Sequence, residues 1–524
     1  MKDAASAPSR IAWIASLLGL GLVTFATVGL SGPGRIDIVD GQTRFEVGRS
    51  LVEHGDSALR DERIWWGSFP GRDGLQFCYY RFPQSIVAAG AILAADATGT
   101  RSEGRRHFFF VLSGAVAAGL LSILYAIWFR RGGCRPAAAL LWAAGGIFCT
   151  PTWFYATSTF DEYLGTTCLI ALLLAAQLTR GQAWGAVLTG LLLGLSYNVK
   201  QPLAAFGAVA LAVHDEPAKP WRQRFVNAII IVGGLLAGVM SEIAYDRIKF
   251  PFDKYEAHAE LLKAYGPVYA NHPFAAAAGL TVSPGAGAIW YFPPLLLCLI
   301  GVGVRWKDDR RLVIALLIAI IPYVGFFCAM SFFTGDPAWG PRYLTPLFGV
   351  LWLFAPAGAT KLRRPLVALL LGLGVLVQLL ALSVDHHRLY VQLDASSGFG
   401  RLHPWLYFEP ALSHLLNRPR EIAEIVRDHP GAEEFTPAPA PTFAFPLLDP
   451  PRDGERRQYL EKRGPDVVLK YRVLNSFRPW WASVPWLVPE DRPVNLGKFA
   501  AFLLGVMCAG QILLGLSIPG PRRA

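Results

Sequence analysis

The sequence predicts an all-α polytopic membrane protein of about twelve transmembrane helices, with a small extracytoplasmic domain before the last one. Three observations predict it. Hydrophobic residues make up 53% of the 524-residue chain and charged residues only 17%, where a soluble chain carries about 25% charge. The apolar residues come in runs near bilayer length, roughly 20 residues each. The segments between the runs alternate in charge, as loops on the two sides of a membrane do.

The runs lie at 11–30, 108–129, 136–155, 163–179, 183–197, 201–213, 226–244, 289–304, 312–332, 343–358, 365–384 and 497–516. Lys2 and Arg10 precede the first run, which is long for a secretory signal and reads as an uncleaved anchor. Short basic segments such as RRGGCR (130–135), RWKDDRR (305–311) and KLRR (361–364) then fall on the cytoplasmic side. The longer segments 31–107, 151–162, 197–201, 245–289, 331–342 and 385–498 fall outside and hold most of the acids. An even number of crossings leaves both termini cytoplasmic in a cell inner (plasma) membrane. The chain divides into a transmembrane module, 1–384, with its first outer loop at 31–107; an extracytoplasmic domain, 385–495; and a last helix with its tail, 496–524.

Two outer regions have texture of their own. In the first loop, YYRFPQSIVAAGAILAA reads as an interfacial helix anchored by Trp65, Trp66, Tyr79 and Tyr80. In the second, TPAPAPTFAFP is a Pro-rich linker and VVLKYRVL a candidate strand. Trp480, Trp481 and Trp486 return the chain to the interface.

Composition excludes other classes. The net charge is +11, but the basic residues form short clusters between apolar runs, not a nucleic-acid patch. The seven cysteines form no CxxC pair and read as small core residues.

The polar residues out of keeping with a membrane chain gather on the outer side. Asp40 opens an amphipathic stretch, DGQTRFEVGRSLVEHGD. Two readings fit it: a helix cap, or a general base that takes the proton of an attacking hydroxyl. Asp37 is the nearest competitor. Asp161 and Glu162, in TPTWFYATSTFDEYLG, read as a cap, as a second acidic group near an acceptor, or as a weak metal signal. Lys200, in SYNVKQP, and Arg342, in GDPAWGPRYLTP, are snorkelling cations or binders of a phosphate leaving group. His386 and His387, beside Asp385 at a span end, read as interfacial or as a metal site, though adjacent histidines do not easily bind one ion. No cofactor is required, and a divalent metal has no support beyond the paired carboxylates. Polar groups collected at one face point to a reaction on a lipid-linked substrate there.

Four stretches carry a resemblance: DGQTRFEVGRSLVEHGD, TGLLLGLSYNVKQPLAA, TVSPGAGAIWYFPPLLLCLIG and GDPAWGPRYLTPLFGVL. In this order they resemble GT-C-fold glycosyltransferases of the bacterial protein-mannosyltransferase/aminoarabinose-transferase type, over about residues 11–360. The resemblance implies a transferase that takes a sugar from a polyprenyl-phosphate donor to a hydroxyl acceptor at the extracytoplasmic face. It places Asp40 as general base, and Asp161 or Glu162 as a second-loop acid. The chain departs from the pattern where DGQTR replaces an Asp-Glu pair. It departs again where YYRFPQS replaces a Lys-Pro-Pro stretch, so that Arg81 stands in for the lysine. Lys200, Arg342 and Arg81 are then the donor-phosphate residues. Rival readings are a transporter or flippase of lipid-linked glycans, which needs polar residues at mid-membrane, a non-catalytic membrane scaffold that works through the outer domain, and a glycan polymerase or ligase using a diphosphate-linked donor.

Overall fold

The computed structural model describes residues 9–61, 67–99, 101–254, 256, 273–330, 335, 338–390, 407–427, 431, 472–483 and 496–517. Its helices, in chain order, are α1 (Arg10–Ser31), α2 (Val39–Glu53), α3 (Pro83–Ala97), α4 (Glu103–Arg131), α5 (Pro136–Phe148), α6 (Thr152–Ala156), α7 (Glu162–Leu178), α8 (Ala183–Val199), α9 (Gly207–His214) and α10 (Trp221–Lys249). There follow α11 (Pro273–Thr281), α12 (Ala288–Tyr291), α13 (Leu295–Asp308), α14 (Arg310–Ala329), α15 (Thr345–Trp352), α16 (Ala355–Ala359), α17 (Arg364–Ser383), α18 (His414–Arg427), α19 (Trp480–Ser483) and α20 (Leu496–Ser517).

Among the described residues, six helices are long and apolar enough to cross a membrane: α1, α4, α10, α14, α17 and α20. The chain is a multi-pass membrane protein. The other apolar runs form shorter or broken helices, and the breaks have local causes. Run 136–155 is cut at Cys149–Pro151 into α5 and α6, and run 289–304 at Pro293–Pro294 into α12 and α13. Proline removes a helical N–H and crowds the preceding turn. Run 343–358 becomes a 3-10 turn at Arg342–Leu344, then α15 and α16. Run 201–213 opens as a 3-10 turn, Gln201–Phe206, before α9.

Small residues set the helix spacing, as they do where lipid gives no hydrophobic drive for association. On α8 and α10, Gly190 and Gly194 face Gly234 and Gly238 so closely that a Cβ on Gly194 would lie 2.4 Å from the Gly234 carbonyl oxygen. On α1 and α20, a Cβ on Gly19 would lie 2.7 Å from the Gly510 oxygen. Within the bundle, polar atoms find backbone partners: Tyr125 donates to the Gly349 carbonyl at 3.0 Å and Trp352 Nε1 to the Trp142 carbonyl at 2.8 Å.

The first loop folds against one end of this bundle. α3 does form where an interfacial helix is expected. Beside it stands a feature the all-α expectation lacks, a three-stranded antiparallel sheet of β1 (Ala58–Leu59), β2 (Ser68–Pro70) and β3 (Gln76–Cys78), in the order β1-β3-β2. Its strands are two or three residues long, too short to leave an alternating pattern in the sequence. Trp65 and Trp66 lie outside the described residues, as do Trp486, the Pro-rich linker and most of VVLKYRVL. The last three residues of that stretch, 472–474, are helical.

The described parts of 385–495 rest on the same end. Ser413 donates to the Pro284 carbonyl at 2.5 Å, Trp480 Nε1 to the Gly29 carbonyl at 3.0 Å, and Val384 bridges Phe477. Trp480 is buried, whereas Trp481 is exposed.

Candidate functional site

Four separate stretches meet at this end. α2 supplies Asp40 and Arg44. The turn between α6 and α7 supplies Phe160, Asp161 and Glu162. The end of α8 supplies Lys200, and the turn before α15 supplies Arg342 and Tyr343. Gly340, two residues before Arg342, has φ +66°, and a Cβ there would stand 2.6 Å from the Tyr291 ring. Only glycine takes that turn without strain, and the turn sends Arg342 inward.

Glu162 is the centre of the cluster and is fully buried. Its Oε1 lies 2.6 Å from Lys200 Nζ and 3.1 Å from Arg342 Nε. Its Oε2 is buried with no protein partner. Asp161 pairs with Lys200 at 2.8 Å and with Arg44 at 3.0 Å. Arg342 also donates to the Gly335 carbonyl at 2.9 Å, and its Nη2 lies 3.8 Å from Asp40 Oδ2. The other Asp40 oxygen accepts from the Tyr80 hydroxyl at 2.5 Å. Aromatic rings wall the cations: Arg342 lies over Phe160 at 4.3 Å and Tyr343 at 4.9 Å, and Arg44 over Tyr80 at 4.4 Å.

The electrostatics follow from burial and partners. Burial works to raise the Asp161 carboxyl, but Lys200 and Arg44 outweigh it and hold Asp161 well below the usual carboxylate range. Burial works against the charge on Arg44, yet Asp161 and Asp40 push its pKa above the ordinary value. Burial and then Asp40 push Tyr80 well up, so its hydroxyl keeps the proton it donates. The cluster interleaves three acids with three cations in a buried place, where an unpaired charge would be costly.

The cap readings hold in position for Asp161 alone. Asp40 lies inside the first turn of α2, whose N-cap is Ile38, and its carboxylate turns to Tyr80. Asp161 occupies the N-cap of α7 but makes no capping hydrogen bond. Asp37 is the residue that organises the turn. Its Oδ1 accepts from Ser158 Oγ at 2.9 Å and from Thr159 N and Oγ1 at 3.1 and 3.0 Å, while its Oδ2 pairs with Arg478 at 3.3 Å. Asp37 therefore builds the platform that carries Asp161 and Glu162.

Five of the six residues singled out from sequence converge here: Asp40, Asp161, Glu162, Lys200 and Arg342. Arg81 turns to α10, with its Nε 2.8 Å from Glu242 Oε1 and its guanidinium over Tyr197. Glu242 is shared with Lys254, which also pairs with Asp246 at 2.6 Å. Two members of the central cluster were not singled out. Arg44 follows Asp40 by one helical turn in DGQTR, which is the signal that could have found it. Tyr80, expected as a membrane anchor, instead holds Asp40.

The two histidines differ in burial, His387 being partly exposed. His386 is fully buried and Asp385 nearly so. Asp385, His386 and His387 offer ligand atoms within 4.8 Å of one another. The Asp385 carboxylate is already engaged, by Arg35 at 2.5 Å and by His387 N at 2.9 Å. Burial raises the Asp385 carboxyl, but His387 and Arg35 hold it well below its ordinary value. An aspartate committed to an arginine is a poor metal ligand, so these residues do not make a fitting metal centre.

No protein-family model matches the chain, and no curated protein matches it. Among solved structures, the chain is similar to the crystal structure of ArnT from Cupriavidus metallidurans bound to undecaprenyl phosphate. The two share 13% sequence identity with a TM-score of 0.42, over 97% of this chain and 78% of that chain.

Proposed function

We propose that this chain is an integral membrane glycosyltransferase that moves a sugar from a polyprenyl-phosphate donor to a hydroxyl acceptor at the extracytoplasmic face. The reading includes about twelve crossings, cytoplasmic termini and an outer region, 385–495, that helps select the acceptor. The observation that carries it is the meeting of Asp40 with Lys200 and Arg342 around Glu162, at the end of the bundle away from the basic loops. A carboxylate beside a cationic pair is what a displacement at a phosphate-linked carbon needs.

The chemistry is a single displacement. An acceptor hydroxyl gives its proton to the Asp40 carboxylate. Its oxygen forms a bond to the anomeric carbon as the bond from that carbon to the phosphate oxygen breaks. The electron pair leaves with the phosphate, and configuration inverts. Lys200 and Arg342 hold the phosphate as its charge grows, while Arg81, paired with Glu242 on α10, stands outside this phosphate site. Asp161 and Glu162 act by holding the two cations in place; they are positioning residues in this scheme.

Charges gathered at one end of the helices favour this reading over a transporter, which would carry them at mid-membrane. The test is Asp40→Asn in the full-length protein, with thermal unfolding as the check on folding. Sugar transfer from a polyprenyl-phosphate donor is expected to fall by about 10²–10⁴. A folded variant that transfers at the wild-type rate overturns the assignment.

A further inference from the structure

At the opposite, basic end lies a cavity of about 490 Å³, between the end of α9, the first turns of α10 and the start of α14. Its rim is cationic. Arg224 sets Nε and Nη2 on the two oxygens of Asp215, at 2.6 and 2.7 Å, and Arg311 joins the same carboxylate. Two guanidiniums thus share one aspartate, and donors of both forks remain unspent on it. The other charges facing this region are Arg180, which pairs with Glu216 at 3.4 Å, and Lys219, which packs over Gly181. Cations outnumber carboxylates.

Buried Asn227 lines the cavity. α10 also begins here, with Trp221 and Arg224 of its first turns in the lining, so that a long helix presents its positive end to the pocket. Beside this polar pocket the wall is bare and apolar. Trp221 and Phe225 line the cavity at 69% and 59% exposure, and Ile229, Leu236 and Met240 continue the uncovered stripe down α10.

We infer that this juxtaposition, a cationic pocket at the end of a membrane helix with an apolar stripe running from it, is a site for an anionic glycerophospholipid. The phosphate sits against Arg224, Arg311 and the α10 amides, and the acyl chains lie along α10. A basic pocket between spanning helices recognises such a head group by charge. A zwitterionic lipid would bring its own cation toward Arg224 and Arg311. A free phosphate has no use for the apolar stripe. The site is remote from the Glu162 cluster and does not depend on its function.

The experiment uses full-length protein in nanodiscs of phosphatidylcholine, alone or mixed with phosphatidylglycerol, and reads retained lipid by native mass spectrometry. Phosphatidylglycerol is expected to be retained in preference to phosphatidylcholine. Arg224→Gln with Arg311→Gln should weaken that preference about tenfold. Should this double variant fail to fold, Ala228→Phe decides: it fills the cavity, keeps both arginines and should abolish the preference. Equal retention of the two lipids by the wild type overturns the inference, and so does an unchanged preference in folded Ala228→Phe.

Discussion

Arg342 Nε stands 3.1 Å from Glu162 Oε1 although 180 positions separate them. The same guanidinium reaches toward Asp40 at 3.8 Å and lies between the Phe160 and Tyr343 rings. One side chain thus ties the first loop, the turn before α7 and the turn before α15 into a single chamber.

Arg342→Lys should therefore not be conservative. A lysine carries the charge but lacks the planar fork and the ring stacking. Sugar transfer is expected to fall by on the order of 10² in kcat/KM, measured with a polyprenyl-phosphate donor. Retention of wild-type kcat/KM would show that a point charge suffices.

Glu162→Gln leaves Lys200 and Arg342 without their shared carboxylate in a fully buried place. Breaking a buried pair by removing one partner costs about 3–5 kcal/mol. The variant should unfold at clearly lower temperature than wild type in the same detergent. An unchanged Tm would mean that the cations find other partners.

Acidification offers a signature of Asp161. Lys200 and Arg44 hold its folded-state carboxyl below the ordinary value despite burial. A depressed carboxylate contributes stability that is present above its unfolded pKa and is lost as pH falls through the folded one. Wild-type Tm should fall below about pH 4. Asp161→Asn should start lower at neutral pH and lose less between pH 5 and the acid limit. Parallel Tm-against-pH curves for the two proteins would contradict this.

Asp37 and Asp40 should separate by kind of defect. Asp37 binds the turn at Ser158 and Thr159 and pairs with Arg478. Asp37→Asn should lower Tm, with activity lost in step with folded protein. Asp40→Asn should lose activity at nearly constant Tm. If Asp37→Asn proved stable but inactive, the two roles would have to be exchanged.

Packing makes a further demand on glycine. Gly194 sits six residues before Lys200, where α8 touches α10 backbone to backbone. Gly194→Val should part the two helices and cost about 1–3 kcal/mol, read as a lower Tm. The same change should reduce transfer by moving Lys200 from Glu162.

The sequence by itself determined that the chain crosses a membrane repeatedly and which residues were chemically out of place. Apolar runs and charge-sorted loops are local properties, written in consecutive residues. Asp40, Asp161, Glu162, Lys200 and Arg342 were legible as candidates because a charge beside an apolar run is costly, although capping and snorkelling account for such residues locally as well. The helix breaks at Pro293–Pro294 and Cys149–Pro151 have a local cause in proline, which a reading by apolar run length passes over because it counts hydrophobic residues and not backbone N–H groups. The short sheet at β1–β3 depends on pairing between strands, not on a repeat within one.

Tertiary structure alone decided who partners whom. It gave Asp37 to the α6–α7 turn, Asp40 to Tyr80 and Arg81 to Glu242. It buried Asp385 and His386, which sequence placed at an interface. The physical reason is that a carboxylate's role is set by the cations and donors within a few ångströms. Here those donors come from parts of the chain far apart along its length, where no local pattern records them.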